Sequence, residues 1–268
     1  MNATLPQEMQ QHTYAIMDEV EGSHWWFVGR RAILESFLEP IAEKLGSPPY
    51  EGGVDAALGG RGGSLPLRIL DVGCGTGANL EMLAQYGEAE GVDVSDDALE
   101  FCRLKGLKAQ KGLAETLPFA DETFDLTTAL DVVEHLDDDI AGLKEMFRVT
   151  KSGGYSLIFV PAFMWLWGVQ DDISNHRIRY NKMQIVERLK EAGYTLERAT
   201  YANWTFFAPI LAGRTIMKVT GIKPESENNI TVSALNGVFG KLFGAERFWL
   251  RNFNFPFGVS IVVVAKKM

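Results

Sequence analysis

Residues 69–77 read Ile-Leu-Asp-Val-Gly-Cys-Gly-Thr-Gly, an apolar run that leads into a turn with glycine at every second position. The apolar part predicts a buried strand, and the glycines let the backbone approach a ligand closely. Residues 78–84 continue with helical spacing of their apolar side chains, which places a helix N-terminus beside the turn. The stretch therefore predicts a strand–turn–helix unit with a ligand at the turn.

A second apolar segment, residues 90–94, ends in an acid that has the spacing of a nucleotide-binding unit. Asp93 follows Asp71 by 22 residues, close to the spacing of about 20 at which an acid meets a ribose hydroxyl. The turn is Gly-x-Gly-x-Gly rather than Gly-x-Gly-x-x-Gly, which argues against a dinucleotide with its pyrophosphate. We therefore expect a ligand that contains a ribose, with Asp93 on the ribose hydroxyls.

Strand-like and helix-like segments alternate along the rest of this region, which predicts an α/β fold with a doubly wound, mostly parallel sheet. In such sheets ligands bind at the carboxyl ends of the strands. We expect residues 151–154 to form a turn and residues 238–249 to form one helix. The predicted strands are 68–72, 90–94, 108–111, 124–130, 155–160, 195–201 and 257–265, and other predicted helices are 96–104, 138–149, 182–192 and 206–220.

The pattern divides the chain into three parts. Residues 1–45 are predicted to form an N-terminal helical cap, and the Gly- and Pro-rich residues 46–66 a flexible linker. Residues 67–268 form the main domain, with C-terminal substrate-side additions that make a cap around residues 161–255.

Composition excludes several classes of protein. A formal net charge of −9 over 268 residues argues against a nucleic-acid partner. The two cysteines give neither a disulfide framework nor metal-ligand spacing, which favours a cytoplasmic location. The N-terminus lacks the pattern of a secretion signal, and no apolar run reaches the roughly 20 residues of a transmembrane helix. Peripheral contact with a membrane surface stays open.

Several motifs, in order, resemble those of the class I S-adenosylmethionine-dependent methyltransferases, nearest to the subgroup with the ubiquinone and menaquinone biosynthesis enzymes. Besides residues 69–77 they are Gly-Val-Asp-Val-Ser at 91–95, Leu-Pro-Phe-Ala-Asp-Glu-Thr-Phe-Asp at 117–125, Leu-Asp-Val-Val-Glu-His-Leu at 130–136 and Lys-Ser-Gly-Gly at 151–154. The resemblance implies S-adenosylmethionine as cofactor and S-adenosylhomocysteine as product. It departs at 113–114, where Leu-Ala replaces a pair that often begins with aspartate, so adenine contact falls to Ala114 or Glu115.

The resemblance also implies which residues bind the cofactor. The turn contacts its amino-acid part and Asp93 its ribose. The residues implied are Asp71, Gly73, Cys74, Gly75, Gly77, Asp93, Val94, Ala114, Glu115, Asp131 and Val132.

An aromatic and basic cluster, His-Trp-Trp-Phe-Val-Gly-Arg-Arg at 24–31, precedes this domain. One interpretation is a packing anchor for the N-terminal helices. The other is a lid over the cofactor, with Trp26 covering it and Arg30 or Arg31 paired with a carboxylate. Both stay open.

Candidate catalytic and substrate residues lie after the fourth and fifth strands. Transfer to a hydroxyl requires removal of its proton, and His176 and His135 are the candidate bases. Arg177, Arg179 and Tyr180 are suited to an anionic group of the substrate, and Trp165 to an apolar part. Glu134-His135 resembles a pair that holds a metal in some relatives, but two adjacent residues favour a supporting role, and no metal site is predicted.

These features favour an O-methyltransferase that acts on a small or lipid-linked acceptor. The pattern of 24–31, 176–180 and 255–260 also resembles uncharacterised bacterial methyltransferases of polysaccharide and lipid-linked sugar pathways. N- or C-methylation, a nicotinamide-dependent oxidoreductase and a non-catalytic binding protein are the alternatives.

Overall fold

A computed structural model describes residues 11–47, 66–222 and 233–268 of the chain. Its centre is a seven-stranded sheet with the order β3-β2-β1-β4-β5-β7-β6, in which β7 runs antiparallel to both of its neighbours and the other pairs are parallel. The predicted doubly wound, mostly parallel α/β fold is thus confirmed. The strands are β1 (Leu67–Val72), β2 (Gly87–Asp93), β3 (Ala109–Lys111), β4 (Phe124–Leu130), β5 (Thr150–Pro161), β6 (Thr195–Ala202) and β7 (Ser260–Lys266).

Helices cover both faces of the sheet. They are α1 (Gln11–Glu21), α2 (Trp25–Lys44), α3 (Ala78–Leu83), α4 (Asp96–Leu104), α5 (Asp139–Val149), α6 (Val169–Ile173), α7 (Lys182–Glu191), α8 (Phe207–Thr220), α9 (Ser233–Gly244) and α10 (Glu246–Leu250). Short 3-10 turns lie at Val133–His135 and Met164–Leu166. Among the helices of the described residues, none combines the length and apolar composition needed to span a bilayer.

Alternating side chains of the strands divide most of the core into two large clusters. Leu157 and Phe159 of β5 pack with α2, whereas Ile158 and Val160 pack with α5 and α7. The apolar face of α2 is buried in the first cluster, so this helix shares a core with the sheet. Most of the predicted linker, residues 48–65, lies outside the described residues.

Two local predictions were wrong. Residues 151–154 lie within β5 rather than in a turn before it, because extra residues bulge between the pairs Phe124–Thr150 and Leu126–Tyr155 and let the strand start earlier. The helix predicted at 238–249 is divided into α9 and α10 at Ala245. Ser95 caps α4, accepting a hydrogen bond from the amide of Ala98 at 3.4 Å.

Candidate active site

A cavity of about 660 Å³ lies at the carboxyl ends of β1, β2 and β4, within the range of roughly 300–1,000 Å³ typical of small-molecule sites. The loop after β1, the end of β2 and the start of the β4–α5 connection form its floor. Helices α1 and α2 cover one side, and α8 and α9 form the opposite wall. The strand-end placement expected from the sequence is therefore present.

The glycine loop needs its glycines for two different reasons. Gly73, Gly75 and Gly77 have positive φ angles of 69°, 52° and 91°. A Cβ at Gly73 would meet Val132 at 2.4 Å, and one at Gly77 would meet Leu107 at 2.4 Å. A Cβ at Gly75 would meet nothing within 4 Å, although this residue lines the cavity. Gly75 therefore presents bare backbone to open space, as a closely approaching ligand requires.

Asp93 ties the glycine loop to the end of β2. Its carboxylate accepts hydrogen bonds from the amides of Gly75, at 2.8 Å, and Ser95, at 2.9 Å. It is 8% exposed and lines the cavity. The acid therefore both orders the loop and faces the space beside it.

Asp71 lies beneath the loop and outside the cavity lining. The Thr128 hydroxyl donates to its Oδ1 at 2.6 Å, while Oδ2 has no hydrogen-bond partner. Complete burial raises the pKa of Asp71 to about 7, opposed by the hydrogen bond from Thr128. Asp71 thus supports the loop from below, where the sequence comparison implied direct contact with the cofactor.

Arg30 brings α2 over the cavity. Its guanidinium forms an ion pair with Asp131 and donates to Asn79 Oδ1 at 3.1 Å. The ring of Trp26 lies 4.9 Å from the guanidinium carbon and also lines the cavity. Burial raises the pKa of Asp131, and the charge of Arg30 opposes that rise. The pairing of Arg30 with a carboxylate is the geometry expected of a lid.

Sequence reasoning missed Glu21, the last residue of α1. Its carboxylate accepts a hydrogen bond from Thr76 in the glycine loop, 55 residues away, and it lines the cavity. Burial raises its pKa, and the Thr76 hydrogen bond and nearby arginines oppose the rise. No local pattern marks Glu21 as different from the neighbouring acids of α1.

The far end of the cavity is polar and contains both candidate bases. The rings of His135 and His176 are 4.7 Å apart between centroids and nearly perpendicular, at 86°. His135 is half-buried at the cavity wall, and desolvation there lowers its pKa to about 3. Next to them the carboxylate of Glu134 is fully buried and lacks a hydrogen-bond partner for either oxygen, and burial raises its pKa well above the usual range.

Asp171, which the sequence did not single out, organises this polar end. Its Oδ1 lies 2.8 Å from both His176 Nδ1 and Arg179 Nε, and Arg214 Nη1 lies 3.5 Å from Oδ2. Burial alone would raise the pKa of Asp171, but the hydrogen bond from His176 and the charge of Arg179 outweigh it and hold the pKa below its usual range. Asp171 is therefore an anion that fixes the orientation of three cationic or hydrogen-bonding groups.

The cavity gathers most of the predicted site residues, but not all. Those that line it are Gly73, Cys74, Gly75, Asp93, Val94, Ala114, Asp131, Val132, Trp26, Arg30, His135, His176 and Arg179. Gly77 and Glu115 lie outside the lining, as Asp71 does; Gly77 packs against Leu107 and Cys102.

Three predicted substrate residues are placed elsewhere. Trp165 is 53% exposed and stacks on Phe163. Arg177 pairs with Asp137 at 2.7 Å, near the surface. Tyr180 is fully buried, and its hydroxyl donates to Asp139 at 2.7 Å. Packing and local ion pairs, which the sequence pattern does not resolve, turn these side chains away from the cavity.

A family model described as a methyltransferase domain matches residues 70–158, from β1 through most of β5. This region is a class I S-adenosylmethionine-dependent methyltransferase domain. The family implies S-adenosylmethionine as the cofactor. A solved structure from Thermotoga maritima, titled a SAM-dependent methyltransferase and possible histamine N-methyltransferase, superposes with a TM-score of 0.55 at 17% identity and covers 95% of this chain and 97% of that one. That likeness concerns the fold.

Curated relatives of this chain include enzymes of quinone biosynthesis. A chloroplastic 2-methyl-6-phytyl-1,4-hydroquinone methyltransferase of Oryza sativa is 29% identical, over 60% of this chain and 49% of the relative. A ubiquinone biosynthesis O-methyltransferase of Alkalilimnicola ehrlichii is 38% identical, over 38% of this chain and 43% of the relative. The matches thus span less than half the length of these relatives.

Proposed function

We propose that this protein transfers the methyl group of S-adenosylmethionine to a hydroxyl of an apolar, lipid-linked acceptor. The observation that carries the proposal is the single cavity that joins the glycine loop and Asp93 at one end to His135 and His176 at the other. A methyl donor and an acceptor bound along it would meet inside the protein, away from bulk water.

The cofactor end fits S-adenosylmethionine. The exposed backbone of Gly75 and the carboxylate of Asp93 suit the amino-acid part and the ribose hydroxyls, respectively. Val94 and Ala114 offer an apolar edge for the adenine, and Trp26 and Arg30 close over the ligand. When bound, the cofactor supplies an electrophilic methyl group to the attacking oxygen of the acceptor.

His176 is the proposed proton acceptor. Its Nδ1 is held by the Asp171 carboxylate at 2.8 Å, so a neutral imidazole keeps its hydrogen on Nδ1 and leaves the lone pair of Nε2 for the hydroxyl proton. Burial keeps His135 neutral, and its ring supports that of His176. Arg179 and Arg214 are the proposed partners for an anionic part of the acceptor.

The wall formed by α8 favours an apolar acceptor. Its cavity side consists of Pro209, Ile210, Gly213 and Met217, preceded by Phe206. The names of the hydroquinone and ubiquinone relatives describe acceptors of this character. A sugar-pathway acceptor stays a prediction of the sequence resemblance.

The outer sides of α8, α9 and α10 support contact with a membrane surface that holds such an acceptor. They expose large apolar side chains, and within the described residues of 207–251 the sole acid, Glu246, is buried. Lys218, Lys241 and Arg251 are exposed there, although the chain as a whole carries a charge of −9. Apolar and basic groups together favour an anionic lipid surface. The exposed apolar residues are Ile216, Val219, Leu235, Val238, Leu242, Phe248 and Trp249.

The test is transfer of a labelled methyl group from S-adenosylmethionine to prenylated hydroquinones and catechols. Wild type is expected to label them, and His176→Ala to lose at least about 100-fold in turnover while its affinity for S-adenosylhomocysteine stays the same. Asp172→Asn, which changes an exposed carboxylate beside Asp171, is the control and should keep full turnover. Equal turnover of His176→Ala and wild type would exclude the proton-acceptor role. Products that carry the label on a ring carbon, or labelling only of amines in a parallel assay, would contradict O-methylation.

A further inference from the structure

We propose that Glu134, His135 and His176 form a site for a divalent transition-metal ion at the acceptor end of the cavity. Each residue offers one ligand atom, and the three atoms lie within 4.8 Å of one another. Metal–ligand bonds to imidazole nitrogen and carboxylate oxygen are about 2.0–2.2 Å long. An ion between the three groups therefore requires only small side-chain adjustments.

The carboxylate of Glu134 is the independent observation that points to a cation. It is 0% exposed, and both of its oxygens lack a hydrogen-bond partner. Its one close polar neighbour among these ligands is His176 Nε2, 3.9 Å from Oε1, too far for a hydrogen bond. A buried carboxylate without such partners carries a large desolvation cost, which a bound cation would offset.

Both histidines are oriented as metal ligands usually are. The Asp171 carboxylate binds His176 Nδ1 at 2.8 Å and directs Nε2 toward Glu134. The ring of His135 hydrogen-bonds to the backbone of Ser174, while its Nδ1 has no partner. Ligating histidines commonly donate their second ring nitrogen to a carboxylate or a backbone carbonyl, which fixes the tautomer and ring orientation. Here each ring has such a partner on one nitrogen and a free lone pair on the other.

The donor set indicates the class of ion. Two imidazoles and one carboxylate suit zinc, iron, cobalt or nickel, whereas calcium and magnesium prefer oxygen ligands. Three protein ligands leave coordination positions open. Because His135 and His176 both line the cavity, those positions face the place proposed for the acceptor.

A metal ion and a proton would compete for His176 Nε2. His176 can therefore act as the proposed base only in the protein without metal. With metal bound, the same residue is a ligand instead. Metal binding itself needs neither cofactor nor acceptor, so its test is independent of methyl transfer.

The experiment uses the full chain, freed of metal by a chelator and titrated with Zn²⁺ by calorimetry and with Co²⁺ by visible absorption. We expect one equivalent of Zn²⁺ to bind, and Co²⁺ to produce a ligand-field spectrum that Zn²⁺ abolishes. His176→Ala and Glu134→Gln should weaken binding by at least about 10-fold, and Asp172→Asn should bind as wild type does.

Thermal unfolding of each variant separates lost binding from lost folding. If Glu134→Gln does not fold, the His176→Ala variant alone tests the metal site. The His176 side chain lies at the accessible edge of the cluster, 13% exposed, so its removal should leave the fold intact. Binding below one equivalent in the wild type, or equal binding by folded His176→Ala, would overturn the proposal.

Discussion

Arg30, in the first turns of α2, forms an ion pair with Asp131, directly after β4, across 101 residues of sequence. Asp131 has a positive φ of 62°, so the backbone at the end of β4 turns in a way that few side chains favour. The pair connects the N-terminal helices to the strand ends, and both residues line the cavity. The ion pair thereby joins α2 directly to the floor of the cavity.

Arg30→Ala should destabilise the protein and weaken cofactor binding. Removing one partner of a buried pair costs about 3–5 kcal/mol, because the other charge stays behind; Asp131 is 23% exposed, so the lower end is expected. Chemical denaturation and calorimetry with S-adenosylhomocysteine measure the two effects. Arg30→Lys, which keeps the charge but not both hydrogen bonds, should fall between wild type and Arg30→Ala. Wild-type stability and affinity in Arg30→Ala would refute this role.

Asp93→Ala should lower affinity for S-adenosylhomocysteine by about 10- to 100-fold, because hydrogen bonds to a charged group contribute about 1.5–3 kcal/mol. The variant loses the acceptor for the Gly75 and Ser95 amides as well as the carboxylate that faces the cavity. Asp96→Asn is the matched control, since this neighbouring acid is exposed on α4. Equal loss in both variants would show a general charge effect instead of a specific contact.

Substitutions of two glycines should differ in their effects on cofactor binding and on stability. Gly75→Ala places its methyl group in open space on the cavity side, so it should cost about 1–2 kcal/mol for the left-handed backbone and block the cofactor. Gly77→Ala has the same backbone strain and also meets Leu107 at 2.4 Å, so it should lower stability further. Thermal unfolding with and without S-adenosylhomocysteine distinguishes the two. A Gly75→Ala variant that binds normally would contradict the assigned path of the ligand.

The raised pKa of Asp71 predicts how the stability of the protein depends on pH. Burial raises its pKa from 3.8 to about 7. The stability that the raised pKa gives the native state is therefore fully present below pH 3.8. Between those values the unfolded chain loses the proton while the native one keeps it, and stability falls with rising pH by up to about 1.4 kcal/mol per unit. The substitution Asp71→Asn removes this pH dependence, because asparagine does not titrate. The difference in unfolding free energy between wild type and variant should therefore change from about pH 4 to pH 7; a constant difference would exclude a raised pKa.

Local patterns predicted the elements that local forces determine. The bounds of α4 and β4 follow from the Ser95 cap and from a short run of apolar and β-branched residues. The glycine loop and Asp93 were found because their spacing along the chain reflects one βαβ unit. These features need no knowledge of distant residues.

The polar end of the site depends on distant residues and was only partly predicted. His176 reaches His135 and Glu134 through the path of the chain after β5, and no spacing rule encodes that path. Asp171 looked like one of two adjacent acids in a polar segment. Its importance comes from complete burial beside Arg179 and Arg214, which only the packed structure reveals.

The central claim is that the cavity above the glycine loop binds S-adenosylmethionine. Its most direct test is thermal unfolding of the wild-type chain in the presence of S-adenosylmethionine, S-adenosylhomocysteine or NAD, since a ligand of the native state raises the unfolding temperature. We predict stabilisation by the first two and none by NAD, with the effect lost in Asp93→Ala. Stabilisation by NAD alone would contradict the account.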